Sequence, residues 1–360
     1  MTDSLYFLTF LMKQALRYSE KYIINIHFYS LNLQQYNKQT LITKISKLMS
    51  QKNNISRRDA LKRMGLTIAG AAMATSGLLS FTSCTERKKR TILYFTGTGN
   101  CLHIARELGG KDAELLSIPQ LMKNGIFDIE AEEIGIVYPI YGHMPPNMVR
   151  KFIQQANLKA DYKFAVLTYG NRKCNAVEIW DDITSKLNCK FDYISTIIMV
   201  DNWLPNFDMN EQMQIDKHIP ENLAKIADDI NSRMQWHEPV TDLEREHHQG
   251  FLERSGIDPE VGFLVKSEDA FEIAKSCIGC GICTYVCPRG NYEYTSAGIT
   301  TAGDCEFCFA CIQNCPQKAI KFRKDSSITL LAKGEKNPNA RYRNENVSIM
   351  DIKLANSQKS

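Results

Sequence analysis

Two runs of cysteines near the C-terminal end repeat the same spacing. Each run has three cysteines at steps of three and then a fourth followed by proline: Cys277, Cys280, Cys283 and Cys287, then Cys305, Cys308, Cys311 and Cys315. Three thiolates at this step wrap one corner of a cubane. Gly279 and Gly281 leave room for backbone N–H groups to approach the sulfurs. The spacing therefore predicts iron–sulfur chemistry.

Zinc and disulfides are the alternative uses of these cysteines. Four-cysteine zinc sites also contain Cys-x-x-Cys pairs, but they need two pairs per ion and no third cysteine at the same step. Disulfides are disfavoured at such short, repeated spacings. Three further cysteines outside the runs lack ligand spacing, and we interpret them as buried apolar residues: Cys101, Cys174 and Cys189.

The two runs resemble those of bacterial two-cluster ferredoxins. The resemblance implies two [4Fe-4S] clusters, with the fourth cysteine of each run binding the cluster of the other run. Cluster 1 would be held by Cys277, Cys280, Cys283 and Cys315. Cluster 2 would be held by Cys305, Cys308, Cys311 and Cys287. The module is expected to span residues 269–325, as a small α+β domain.

Strands and helices alternate through residues 91–235. Apolar, β-branched runs predict strands at 91–95, 113–118, 133–138, 163–169 and 193–200. Helical patterns fall at 100–108, 146–155, 175–187 and 210–234. Strands that alternate with helices favour a parallel sheet covered on both faces. The expected fold class is α/β, a doubly wound five-stranded parallel sheet.

In such a sheet, ligands bind at the carboxyl ends of the strands, so the loop after the first strand is informative. It reads Thr96, Gly97, Thr98, Gly99 and Asn100 and leads into a helix. Glycines let backbone N–H groups approach a phosphate, and the helix N-terminus adds its positive end. Leu102 replaces the third glycine of the dinucleotide fingerprint, and the P-loop lysine is absent. The loop predicts a cradle for a terminal phosphate.

This loop resembles that of flavodoxins, whose first loop holds the phosphate of FMN. The resemblance covers about residues 91–235 and implies that the loops after strands three and four hold the isoalloxazine ring. The candidate residues in those loops are Pro139, Tyr141, Gly142, Tyr169, Gly170 and Asn171. Tyr141 and Tyr169 are the candidates for ring contacts. The alternatives are half-buried tyrosines with satisfied hydroxyls, and a fold retained without cofactor.

The N-terminal part is similar to an export signal. Residues 1–48 show no sustained period and precede a second start at Met49, which favours a start codon placed too early. Residues 49–84 carry Arg57 and Arg58 before a weakly apolar run, as twin-arginine signals do, and end at Cys84 in a lipoprotein-like box. We expect export, lipidation of Cys84 and a membrane anchor on the periplasmic side. The alternatives are an uncleaved membrane anchor and a cytoplasmic protein.

Composition narrows the range of partners. The chain has 360 residues and a net charge of +4, with Lys and Arg spread along it, which disfavours nucleic-acid binding. Residues 236–268 are predicted to be a charged connector, in which solvation explains His237, His247 and His248. Residues 326–360 are predicted to form a C-terminal tail.

The domain order resembles that of the EFR-type flavodoxin–ferredoxin fusion family, including the late segment 339–344. The resemblance spans roughly residues 91–345. It favours electron transfer between the clusters and FMN, with a redox protein or a small molecule as partner. The alternatives are a flavin-dependent reductase that uses the clusters as an internal relay, and a cluster-bearing adaptor without flavin.

Overall fold

Seven parallel strands form the central sheet of the described residues. Our computed structural model describes residues 87–331 and 333–359, so the predicted export signal and Cys84 lie outside the described residues. The seven strands are β1 (Lys88–Tyr94), β2 (Glu114–Ser117), β3 (Asp128–Pro139), β4 (Asn157–Lys159), β5 (Tyr162–Tyr169), β6 (Tyr193–Ile198) and β7 (Trp236–His237). All pair in parallel in the order β2, β1, β3, β5, β6, β7, with β4 beside β3.

The strand order confirms the predicted fold class. When the short strands β4 and β7 are set aside, the sheet order is β2, β1, β3, β5, β6. Counted along the chain, this is the order 2-1-3-4-5 of flavodoxin-like doubly wound sheets. The strands β4 and β7, of three and two residues, extend the predicted five-stranded sheet. Buried β-branched and aromatic residues fill both faces of β1, β3 and β5, as expected for a sheet covered by helices on both sides.

Six helices accompany this sheet: α1 (Asn100–Gly109), α2 (Ile118–Asn124), α3 (Asn147–Ile153), α4 (Ala176–Lys186), α5 (Met209–Gln212) and α6 (Ile219–Asn231). The single helix predicted at 210–234 is wrong, because α5 and α6 are separate. His218 precedes α6 with a left-handed φ of 50°, and Pro220 in the first turn has no N–H with which to continue a preceding helix. Helix α2 was not predicted.

The predicted connector contains a further helix, α7 (Asp242–Ser255). It begins at Thr241 in a capping box with Glu244 and ends at Gly256 in a left-handed conformation. His248 on this helix is 7% exposed, so a solvated linker does not explain it, and that interpretation is wrong for this residue.

The cysteine module consists of short antiparallel pairs and single-turn helices. Its strands are β8 (Val265–Lys266), β9 (Phe271–Ile273), β10 (Tyr292–Thr295), β11 (Gly298–Thr301), β12 (Asp304–Cys305) and β13 (Ile320–Phe322). They pair as β8 with β12, β9 with β13, and β10 with β11. Its helices are α8 (Ser267–Ala270), α9 (Ile282–Val286) and α10 (Ala310–Gln313).

The C-terminal residues join the two modules. A 3₁₀ turn at Thr329–Leu331 precedes α11 (Ile349–Asn356), which begins at Ser348 in a capping box with Asp351. The Asn356 amide donates to the carbonyl oxygens of Thr96 at 2.9 Å and Val286 at 3.0 Å, one in each module. Apolar side chains of α9 and α11 belong to the same buried core as the sheet. In the described part of the chain, no helix is long and apolar enough to cross a membrane.

Candidate functional site

One small apolar hollow collects the four cysteines predicted for cluster 1. Its lining contains Cys277, Cys280 and Cys283 from the first run and Cys315 from the second, with isoleucine side chains around them. The Cys315 thiol also accepts from the backbone N–H of Ala319 at 3.2 Å. The chain therefore folds so that the fourth cysteine of the second run lies beside the first run. This arrangement fits a cubane whose ligands cross between the runs.

The other four cysteines lie together inside the protein. Cys287, Cys305, Cys308 and Cys311 are each at most 9% exposed. Burial, and then the neighbouring thiols Cys308, Cys311 and Cys287, raise the pKa of Cys305 well above its ordinary value. Four mutually unfavourable thiols in a dry site are ligands that a metal cluster stabilises by displacing their protons. Backbone N–H groups of Asn291 and Phe307 and the Tyr292 hydroxyl point at these sulfurs.

The two cysteine sets differ in exposure. Cys277 and Cys280 are exposed, and Ile278 between them is 65% exposed. Cys287, Cys305 and Cys311 instead belong to a core rich in aromatic residues, in which the rings of Phe307 and Phe309 lie 4.9 Å apart. Cys308 belongs to the buried core of the sheet. One set therefore faces solvent, and the other faces the interior.

The loop after β1 keeps backbone donors free. Gly99 has a φ of 101°, which favours glycine, and its N–H donates to Thr96 Oγ1 at 3.1 Å. The N–H groups of Gly97, Thr98 and Asn100 have no acceptor among residues 87–331 and 333–359. These donors lie at the N-terminus of α1, whose positive end favours an anion. The loop has the chemistry expected of a phosphate cradle.

A cavity of about 460 Å³ lies at the carboxyl edge of the sheet. Its lining includes ten of the eleven residues predicted to bind the cofactor: Thr96, Gly97, Thr98, Asn100, Pro139, Tyr141, Gly142, Tyr169, Gly170 and Asn171. Gly99 is not in the lining and faces Val347 and Asn344 instead. The hydroxyls of Tyr141 and Tyr169 have no hydrogen-bond partner in the described part of the chain. The roles of all eleven residues in binding stay predictions.

Further lining residues were not predicted. The loop after β6 supplies Asp201, Asn202 and Trp203, and Asn202 donates to Thr98 Oγ1 at 2.7 Å. The carboxyl-edge rule applies to this strand too, so the rule itself gave a signal for this loop. Phe307 and Phe309 of the second cysteine run also line the cavity, and the sequence carries no signal for them, because they arrive by docking of the modules.

The second cysteine run contacts the candidate phosphate loop directly. A Cβ atom added at Gly97 would lie 2.6 Å from the backbone oxygen of Cys308. Only a residue without a side chain permits this approach. The hollow lined by the exposed cysteines shares no residue with the cavity. The buried cysteine set is therefore the one that borders the cavity.

A buried ion pair stabilises the joint between the modules. The Glu306 side chain is 0% exposed and pairs with Arg289. Its Oε1 accepts from the Met148 N–H at 3.0 Å and from Arg289 Nε at 2.7 Å. Arg289 also donates to Asn147 Oδ1 at 2.8 Å, at the start of α3. The pair thus connects the second cysteine run to the flavodoxin-like sheet.

Arg289→Met is expected to lower the free energy of unfolding by about 3–5 kcal/mol, because it leaves the Glu306 carboxylate buried without its cation. Denaturant titration of the holoprotein measures this. Lys266→Met removes the exposed pair with Asp304 and is the control, with an expected loss of at most about 1 kcal/mol. Adding Glu306→Gln to Arg289→Met should restore part of the lost free energy of unfolding. Equal losses in Arg289→Met and Lys266→Met would contradict the stabilising role of the buried pair.

Among comparisons with known proteins, a family match covers the cysteine module. Residues 268–320 match the family model described as 4Fe-4S dicluster domain, and this stretch includes both cysteine runs. No curated protein sequence matches the chain. A similar solved structure is a flavoprotein in complex with FMN from Lactobacillus acidophilus NCFM, with 14% identity and a TM-score of 0.22, covering 30% of this chain and 93% of that one. Another is rubredoxin oxygen:oxidoreductase from Desulfovibrio gigas, with 12% identity and a TM-score of 0.26, covering 39% of this chain and 36% of that one.

The fold and the cysteine sites define the class of protein. The strand order establishes a flavodoxin-like domain without help from these low similarities. The family match and the two cysteine sets establish a domain for two [4Fe-4S] clusters. The protein therefore joins a flavodoxin-like domain to a 4Fe-4S dicluster domain in one chain.

Proposed function

We propose that this protein is an iron–sulfur flavoprotein that carries electrons between its two [4Fe-4S] clusters and FMN. The contact between Gly97 and the Cys308 carbonyl supports this most directly, because it brings a cluster-binding segment against the candidate phosphate loop. When bound, the clusters supply one-electron transfer and the flavin takes up one or two electrons.

The residues around the cavity fit FMN. The free N–H groups of Gly97, Thr98 and Asn100 would hold the phosphate, assisted by the N-terminus of α1. The cavity volume of about 460 Å³ lies within the range of small-molecule sites. Tyr141 and Tyr169 would contact the ring, and their unpartnered hydroxyls leave them free to do so.

Exposure suggests the order in which electrons pass. The exposed Cys277 and Cys280 are accessible to a redox protein or a small molecule. The buried set borders the cavity through Cys308, whereas the exposed set does not, and its aromatic neighbours exclude water. We therefore propose a path from a partner to cluster 1, then to cluster 2, and then to the flavin, or the reverse.

A flavin-dependent reductase is the second candidate. The cavity extends beyond the phosphate loop and is also lined by His143, Arg172 and Asp201, polar groups that an electron carrier does not need. Such groups can orient a small acceptor and exchange protons with it. Turnover of an organic acceptor by the purified protein alone would favour this candidate over a pure carrier.

Tyr342→Phe tests the role of the C-terminal segment in cofactor binding. The Tyr342 hydroxyl donates to Asn100 Oδ1 at 2.5 Å, and Asn344 N–H donates to the Thr98 carbonyl at 2.9 Å. Loss of one such bond is worth about 1 kcal/mol, so FMN affinity measured by fluorescence should fall about fivefold. Tyr162→Phe removes a hydroxyl bonded to the Met234 carbonyl, away from the cavity, and should leave the affinity unchanged.

Anaerobic purification followed by cofactor analysis tests the proposed function. We expect about eight iron and eight sulfide atoms and one FMN per chain, the content of two cubanes and one flavin. Redox titration should then resolve flavin and cluster transitions. A protein with full iron and no FMN, before and after reconstitution with FMN, would contradict the proposal and favour the flavin-free adaptor.

A further inference from the structure

We propose that His143 and His248 form the path by which protons enter the cavity, an inference that rests on the proposed flavin occupancy. Iron–sulfur clusters deliver electrons without protons, whereas reduction of an organic acceptor to a neutral product consumes both. Bound FMN and an acceptor would displace water from the cavity, so a protein group beside the acceptor would then have to deliver the protons. The sequence alone offered no proton donor.

The two imidazole rings face each other at the edge of the cavity. His143 lies in the tight turn after β3 with a left-handed φ of 68°, and it lines the cavity. Its Nδ1 lies 3.4 Å from Nδ1 of His248 on α7. Phe251 packs edge-on against the His143 ring at 4.8 Å between centroids. The turn and the aromatic contact hold His143 between its partner and the cavity.

Other ionisable groups in the lining are poorly suited to this task. Burial raises the pKa of Cys101 to about 12 and the pKa values of Tyr141 and Tyr169 above their ordinary range. Arg172 offers N–H donors only and no acceptor. Burial also raises the pKa of the Asp201 carboxyl, but that carboxyl accepts only from the Trp203 N–H and contacts no second titratable side chain by a hydrogen bond. Among the ionisable lining residues in the described part of the chain, His143 is the one whose side chain lies within hydrogen-bond distance of another titratable side chain.

The charges around the pair favour transfer over storage of a proton. Arg172 faces His143 from the loop after β5, and His247, His248 and Arg254 face it from α7. Burial, followed by the neighbours His248, Arg172, His247 and Arg254, lowers the pKa of His143 to about 4, and burial lowers the pKa of His248. A neutral pair in which one ring is protonated at Nδ1 would place that N–H between the two Nδ1 atoms. An additional proton is therefore passed on quickly, as a relay requires.

A benzoquinone as acceptor shows how the protons and electrons balance. The quinone takes two electrons from the reduced protein and two protons, and leaves as the hydroquinone. Each proton passes from water to His248, through Nδ1 to His143, and from the other ring nitrogen of His143 to a quinone oxygen. One proton enters from water for each proton delivered, and each passage leaves both imidazoles in the opposite tautomer. Each ring returns to its first tautomer by exchanging one proton for another with water before the second proton follows.

Two acceptors with different proton requirements test this path. The reduced, flavin-loaded protein is mixed with a water-soluble benzoquinone, which needs protons, or with ferricyanide, which takes one electron and none. His143→Asn keeps a residue that tolerates positive φ. We expect it and His248→Asn each to slow quinone reduction about 100-fold and to leave ferricyanide reduction within twofold. The double variant should be no slower than the singles, because both act in one path.

His218→Asn is the matched control. His218 also has a left-handed φ, of 50°, but its side chain is 71% exposed and does not line the cavity. It should reduce both acceptors at the wild-type rate. FMN and iron contents are measured for each variant, so that a loss of cofactor is distinguished from a loss of proton transfer.

Zinc binding gives a readout that does not depend on activity. Tetrahedral Zn²⁺ places two histidine nitrogens about 3.4 Å apart, the separation of the two Nδ1 atoms. Calorimetry should find one Zn²⁺ site in the wild-type holoprotein that is absent from His143→Asn, and bound Zn²⁺ should slow only quinone reduction.

The outcomes separate the relay from the function on which it rests. A slowing of quinone reduction by less than tenfold in the loaded His143→Asn and His248→Asn proteins would overturn the relay and leave the electron carrier intact. Equal slowing with both acceptors would also overturn it, because the defect would then be in electron transfer. A wild-type protein that binds no FMN would refute the proposed function, and the relay with it.

Discussion

Cys280→Ser is expected to remove cluster 1 and leave the flavin in place. Cys280 is exposed, and the hollow that it lines shares no residue with the cavity. The iron content should fall from about eight to about four atoms per chain, because the buried ligand set stays complete. Flavin content should not change. Reduction of the flavin by an external protein donor should become much slower, since the exposed entry point is lost.

Cys308→Ser should have a different and larger effect. Cys308 is 8% exposed, and its carbonyl packs against Gly97. Because the free energy of cluster binding contributes to folding, loss of cluster 2 should lower the free energy of unfolding of the cysteine module and of the flavodoxin-like domain packed against it. Both iron and flavin contents should fall. Metal and flavin analysis after anaerobic purification, together with thermal unfolding, measures these effects.

Cys189→Ser is the matched control for both substitutions. Cys189 is half-buried and lies outside the two runs, so it should keep all iron and all flavin. Equal flavin contents in Cys280→Ser and Cys308→Ser would contradict the inferred order of the two clusters. Loss of iron in Cys189→Ser would contradict the ligand sets themselves.

The sequence predicted those features that depend on local pattern. The five long strands follow from alternating apolar runs, and the convergence of the three loops follows from the geometry of any doubly wound sheet. The grouping of Cys315 with the first cysteine run follows from ferredoxin spacing. Each of these features repeats along a short stretch of chain or obeys a rule about strand ends.

Features that join distant parts of the chain were not predicted. Tyr342 and Asn100 form a buried hydrogen bond across a separation of 242 residues, and no periodicity connects them. Glu306 looks like a surface residue within a cysteine run, yet it is the acidic half of a buried pair. His248 looks like part of a charged, solvated connector, and the packing of α7 against the turn after β3 buries it.

Domain docking explains why these errors occur together. The cavity has one wall from the flavodoxin-like domain and another from Phe307, Phe309 and the residues around α7. A sequence pattern describes each wall separately. The fit between the walls depends on the volumes of individual side chains, and above all on the absence of one at Gly97.

Gly97→Ala tests that fit with a single added methyl group. Its Cβ would lie 2.6 Å from the Cys308 carbonyl oxygen and 3.2 Å from Cys308 Cβ, and a backbone atom cannot move aside as a flexible side chain can. Overpacking of this kind lowers the free energy of unfolding by about 1–3 kcal/mol. We expect the loop to shift away from the cysteine run, with FMN affinity reduced about tenfold or more and slower electron exchange between flavin and clusters.

Gly250→Ala separates this steric effect from a general effect of replacing glycine. A Cβ at Gly250 in α7 would meet only the end of the flexible Arg254 side chain, at 3.0 Å. Alanine in a helix is more stable than glycine by about 0.5–1 kcal/mol, so this variant should bind FMN normally and unfold no earlier than wild type. Wild-type FMN affinity and wild-type flavin reduction in Gly97→Ala would show that the contact with Cys308 does not couple the two modules. The expected loss in Gly97→Ala alone would identify that contact as the place where the two domains act as one redox unit.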